Sequence, residues 1–105
     1  GVFADGWTAL GGSQWTDSPA IGRYGDYLAR DLVGFVEDRL GTLPRPEARA
    51  LAGKSSGGYG ALAVASLHPE VFGHAVSHAG DAGFEYCYLP DFPRAAAALQ
   101  DARFI

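Results

Sequence analysis

The stretch Arg49-Ala50-Leu51-Ala52-Gly53-Lys54-Ser55-Ser56-Gly57-Gly58-Tyr59-Gly60-Ala61-Leu62 decides how the rest of the chain is read. Ala48 to Ala52 is a short, mostly apolar run that stops at a glycine, which predicts a buried strand, weak in propensity because it is rich in alanine. Gly57 to Leu67 places Ala61, Leu62 and Ala65 on one side and runs into His68-Pro69, where the residue before proline is pushed out of the helical region. Between strand and helix lies Gly53-Lys54-Ser55-Ser56-Gly57, the pattern G-x-S-x-G. A serine in that setting sits on a sharp strand-to-helix turn, with its hydroxyl lifted above the sheet edge and the positive end of a helix beside it. Glycines Gly53 and Gly57 are expected because side chains there would collide with the neighbouring strand and helix. Gly58 and Gly60 extend the small face and favour close packing.

The bare pattern is of moderate specificity: this composition yields roughly 0.1 chance matches. Its context, strand before and small-residue helix after, is what makes it informative. A rival reading takes Gly53-Lys54-Ser55 as the end of a phosphate-binding loop. That motif needs a glycine at position 48, where the chain has Ala48, and a flexible loop where Arg49 to Ala52 reads as strand.

Outward from the motif, the elements alternate. Tyr24 to Leu40 predicts a helix whose apolar face is Leu28, Leu32, Phe35, Val36 and Leu40, closed by Gly41 in the position of a left-handed cap. Trp7 to Gly25 is a long loop rich in Gly, Ser, Thr and Asp, and Gly1 to Ala4 reads as the end of a strand. Pro44 and Pro46 mark a turn between the two halves of the chain. Beyond the motif, Phe72 to His78 is a second apolar strand candidate, and Pro93 to Ala102 a short helix with Pro93 in its first turn. Strands alternating with helices imply an α/β fold with parallel pairing.

Composition narrows the function. The chain has 105 residues, 48% of them hydrophobic, and a formal net charge of −4. That is one domain at most, and a mildly acidic chain with scattered basic residues carries no footprint for nucleic acid. No apolar run approaches the roughly 18 residues of a membrane span. No basic stretch leads into an apolar run as in a signal peptide, and the compartment stays open, with the cytoplasm slightly favoured. Cys87 is the single cysteine, expected as a small half-buried side chain, so neither an internal disulfide nor a cysteine metal cluster is expected, and no cofactor is called for.

Gly53 to Leu62, GKSSGGYGAL, resembles the nucleophile elbow of the putative-esterase group within the α/β-hydrolases, which includes esterase D-like, enterochelin esterase-like and mycolyltransferase-like proteins. Asp5-Gly6, Gly11-Gly12-Ser13-Gln14 and Tyr24-Gly25-Asp26-Tyr27-Leu28 resemble it upstream. Ser77-His78-Ala79-Gly80-Asp81 and Cys87-Tyr88-Leu89-Pro90-Asp91-Phe92-Pro93 resemble one bacterial branch downstream.

The resemblance implies a serine esterase acting on small-molecule carboxylic esters or thioesters, with Ser55 as the acylated nucleophile and the Ser56 N–H as one oxyanion donor. It implies that the second donor precedes Gly1 and that the acid and histidine of the triad follow Ile105. The chain is then expected to be the central segment of one incomplete α/β-hydrolase domain, residues 1–105. Asp81 is a local candidate for the acid, against a loop-capping or surface role. His78 is a local candidate for the base, against a place in the pocket wall. Trp7, Trp15, Tyr24, Tyr86 and Tyr88 either cover the core or line an acyl pocket. An acyltransferase of the same fold and a non-catalytic binding module are the alternatives. Uncovered strand edges and apolar faces make homo-oligomer formation an expected behaviour of such a segment.

Overall fold

Residues 1–100 are described by the structure, a computed structural model. Gly1 to Ala4 is not a strand: among the described residues no strand pairs with it, and residues 1–6 carry no regular structure. The long loop that follows is folded back on itself twice. Strand β1 (Trp7–Thr8) pairs antiparallel with β2 (Gly11–Gly12), and β3 (Asp17–Ser18) pairs antiparallel with β4 (Gly22–Arg23). Between the two ribbons Ser13 is buried, with its N–H bonded to the Gly6 carbonyl at 3.1 Å and its Oγ accepting from the Trp15 N–H at 3.2 Å.

The helix over 24–40 is present but is not one regular α-helix. It begins as α1 (Tyr24–Asp26), widens into a π-helical stretch (Tyr27–Leu32), and returns to α-helix as α2 (Val33–Leu40). Its start is capped from a distance: Asp17 Oδ1 accepts from the N–H groups of Gly25, at 2.9 Å, and Asp26, at 3.2 Å. Gly41 ends it in the left-handed conformation, φ 60°, with its N–H on the Glu37 carbonyl. The wide turn of the π stretch rotates the inward stripe. Leu28 and Ala29 are buried, and Leu32 and Val33 pack against the core, whereas Phe35 and Leu40, expected to face inward, are 58% and 66% exposed.

A 3₁₀ turn (Pro46–Ala48) leads into β5 (Ala50–Lys54), two residues later than expected because Pro46 and the turn occupy Ala48. Helix α3 (Ser56–Leu67) follows at once, and β6 (His74–His78) pairs with β5 in parallel, Gly53 opposite Ser77 and Lys54 opposite His78. This strand–helix–strand unit is an α/β arrangement. Neither strand is buried on both faces. In β5 only Leu51 and Gly53 are partly covered, and every residue of β6 is exposed. Phe72, expected within the second strand, instead precedes it as a buried anchor.

The small core joins Leu28 and Ala29 of the π stretch, Val64 of α3 and Phe72, with Trp15, Leu51 and Ala65 packed around them. Leu62, expected on the buried side of α3, is 49% exposed; the face turned inward is Gly58, Gly60, Ala61 and Val64. After β6 come α4 (Phe84–Cys87), a 3₁₀ turn (Leu89–Asp91) and α5 (Phe92–Ala98). Positions 101 and 102 of the helix expected over Pro93 to Ala102 lie outside the described residues.

Candidate active site

Ser55 occupies the single residue between β5 and α3 and is exposed. Its backbone has φ 54° and ψ −121°, outside the regions open to most non-glycine residues. The sharp reversal is held by three backbone bonds. The Ser55 N–H donates to the His78 carbonyl at 3.0 Å, and the Ser55 carbonyl accepts from Tyr59 at 3.0 Å and Asp81 at 3.2 Å. The first two tie the turn to β6 and to the first turn of α3; the third folds the loop after β6 back over it.

The small residues around the turn have unequal reasons for being there. A Cβ on Gly53 would land on the backbone carbonyl of Gly57. A Cβ on Gly58 would lie 2.8 Å from Gly80 Cα and 2.9 Å from Ser77 Oγ, and one on Gly60 would enter the indole of Trp15. Gly57 differs from the steric expectation: a Cβ there would meet nothing closer than Trp15 Nε1 at 4.0 Å. What must be bare at 57 is the backbone against which Gly53 packs, not a space for a side chain of its own.

Ser55 Oγ donates to Asp81 Oδ1 at 3.0 Å. The other oxygen, Asp81 Oδ2, accepts from Tyr88 Oη at 2.8 Å and from Gln14 Nε2 at 3.2 Å, and Gln14 Nε2 also reaches Tyr88 Oη. Tyr88's hydroxyl above all, and then the Gln14 amide, hold the Asp81 carboxyl below the usual carboxylate range; partial burial opposes them and Ser55 adds a smaller downward pull. The same bond, with burial and the nearby negative charge, raises the Tyr88 phenol above its ordinary value. Asp81 is thus an anion near neutral pH, and Tyr88 a neutral donor.

The residues proposed from sequence are placed as follows. Ser55, Ser56, Gly53, Gly57 and Asp81 come together at the turn. Ser56 is the first residue of α3, so no carbonyl one turn earlier in the helix is available to its N–H. His78 contributes its backbone carbonyl to the turn; its ring makes no hydrogen bond among those of the described residues, and strand alternation puts it on the face of Lys54, opposite that of Ser77. His74 meets the Glu47 carbonyl and His68 lies beside Glu70, so neither ring touches Ser55. Cys87, expected half-buried, is exposed. Lys54 closes a paired strand, so positions 50–54 do not form the loop that a phosphate-binding motif requires.

Gln14 and Tyr88 are the site residues whose part was not foreseen. Both stand in stretches carrying a family resemblance, but nothing local announces that an amide and a phenol 74 residues apart converge on one carboxylate. A further pattern is visible only in three dimensions. The described non-glycine residues with positive φ are Gln14, Trp15, Ser55 and Ala79, and all four belong to the turn or to the segments closing on it. An open cleft of about 530 Å³, lined by Phe3, Asp5, Trp7, Gln14, Trp15 and Ser56 among others, reaches the turn from the N-terminal side.

Residues 8–84, well over half of the chain and including the whole strand–turn–helix–strand unit, match the family described as "Putative esterase". The chain is similar to the MPT51 antigen of Mycobacterium leprae (strain TN), 34% identical over 74 residues that make up 70% of this chain and 21% of that protein. It therefore spans about a fifth of the length of this curated relative. With residues 8–84 matched, the chain belongs to the Putative esterase family.

Proposed function

We propose that this chain is the nucleophile-bearing central segment of an α/β-hydrolase domain and that Ser55 attacks the carbonyl carbon of a carboxylic or thio ester. The observation that carries the reading is the exposed hydroxyl of Ser55 at φ 54°, directly before the N-terminus of a 12-residue helix. In the proposed step the Oγ–C bond forms, the Oγ proton passes to a general base, and the carbonyl oxygen becomes an oxyanion. The Ser56 N–H and the positive end of α3 favour that charge. Expulsion of the alcohol or thiol leaves an acyl-enzyme, which water then cleaves. No histidine ring is bonded to Ser55 among the described residues, so the base in this scheme is a group outside them, in keeping with the chain order that the family resemblance implies.

The test is covalent. A serine-directed phosphonate should label the protein at Ser55, identified by peptide mass, and Ser55→Ala should abolish both the label and turnover of p-nitrophenyl acetate. A label elsewhere, or equal labelling of the alanine variant, would end the reading.

A further inference from the structure

The polar cluster at the turn is larger than a bare nucleophile requires. Asp81 receives hydrogen bonds from Ser55, Tyr88 and Gln14, supplied by the elbow, by the segment after α4 and by the loop after β2. None of the ion pairs among the described residues includes Asp81, so its neighbours orient it by hydrogen bonds alone. Gln14 accepts two disadvantages to take part. Its backbone stands at φ 52°, and its Oε1 is buried without a partner while Nε2 serves both Asp81 and Tyr88.

The direct contact also restricts what Asp81 can be. A triad acid reaches its serine through an imidazole, which takes two hydrogen bonds of about 2.8 Å in series plus the width of the ring. At 3.0 Å from Oγ to Oδ1 there is no space for that ring. Asp81 acts on the serine hydroxyl itself, as the acceptor of its hydrogen bond in the resting chain.

We propose that Gln14 and Tyr88 are positioning residues that pin the Asp81 carboxylate, and that the pinned carboxylate fixes the rotamer of the Ser55 hydroxyl. Its catalytic meaning rests on Ser55 being the nucleophile. In the resting chain the Oγ proton is turned to Asp81, so the Oγ lone pairs stand in one direction relative to the start of α3, and for attack the proton is handed from this bond to the base.

The test separates the clamp from the chemistry. In the full chain, carbon-13 NMR follows the Asp81 carboxyl against pH, and side-chain couplings report the Ser55 rotamer. Asp81 should titrate below the usual carboxylate range and move upward in Tyr88→Phe, which removes only a hydroxyl, and in Gln14→Leu. Ser55 should hold one rotamer in the native chain and average over several in Asp81→Asn. Phosphonate labelling should slow about tenfold in Tyr88→Phe. An ordinary Asp81 titration, a Ser55 rotamer indifferent to Asp81→Asn, or labelling as fast in Tyr88→Phe as in the native chain would each overturn the proposal. Absence of labelling in the native chain, with the titration and rotamer results as expected, would sink the nucleophile reading and leave the clamp standing.

Discussion

Gly53 and Gly57 flank Ser55 symmetrically in sequence but not in space. Gly53→Ala would drive a methyl into the Gly57 carbonyl, and relief requires the strand and helix to part. A loss of about 3 kcal/mol is expected in urea unfolding, together with loss of phosphonate labelling. Gly57→Ala places its methyl in open space inside a helix, where alanine is favoured over glycine by about 0.5–1 kcal/mol. It should leave stability unchanged or raised, and a loss as large as that of Gly53→Ala would refute the asymmetry. The Asp81–Tyr88 bond gives a pH signature. Folding lowers the Asp81 pKa, so the stability this bond contributes is fully present above the ordinary carboxylate value and is lost as pH falls through the native one. Folding raises the Tyr88 pKa, so the same contribution is lost at the alkaline end as pH rises past the ordinary phenol value. The stability gap between the native chain and Tyr88→Phe should therefore be widest around neutral pH and close at both ends; a gap constant across pH would mean that the phenol acts by packing alone. The position of Ser55 was legible in the sequence because the motif is local: five residues and their flanks specify the turn. The clamp on Asp81 was not, because Gln14 and Asp81 are 67 residues apart and their meeting depends on how the loop after β2 lies over α3.

At the scale of elements, the sequence reads well where one element dictates its own structure and less well where a neighbour overrides it. The parallel pair with α3 between its strands followed from apolar runs, glycines and His68-Pro69, with the helix displaced by one residue at its start, β5 by two at both ends and β6 by two at its start. The face of the 24–40 helix did not follow, because a 3.6-residue period was assumed across a stretch that is π-helical, and six residues of wider turn are enough to carry Phe35 to the surface. The distant cap on that helix was equally hidden: position 23 is arginine, and the capping carboxylate comes from Asp17. Asp17→Ala should cost about 1 kcal/mol in urea unfolding, whereas Asp17→Asn, which keeps an acceptor, should recover most of it. Val64, at 1% exposure the most deeply buried large side chain among the described residues, links α3 to the π stretch. Val64→Ala should cost about 2 kcal/mol.

At the scale of the whole molecule, a tightly held turn sits on a thinly covered sheet. Its radius of gyration is 15.5 Å, against about 13 Å for a compact domain of this length. Buried hydrophobic residues are few, while Phe3, Leu67, Val76, Leu89 and Phe92 are each at least half exposed. On the face of the sheet opposite α3, Ala52 and Val76 find no covering layer among the described residues, and β5 and β6 each have one edge without a partner. An α/β sheet is stable when helices close both of its faces, and each uncovered face forfeits the burial that offsets chain entropy. The 105-residue chain by itself should therefore bind an apolar dye such as ANS, unfold with weak cooperativity, and sediment as a concentration-dependent mixture of species. A charged replacement in the middle of the bare face, Val76→Lys, should shift that mixture toward monomer without disturbing the turn at Ser55, because residue 76 lies on the face away from Ser77 and Gly58. Sedimentation of a single monomeric species at every concentration, with no dye binding, would mean that the core around Val64 and Phe72 suffices and that the bare face does not drive association.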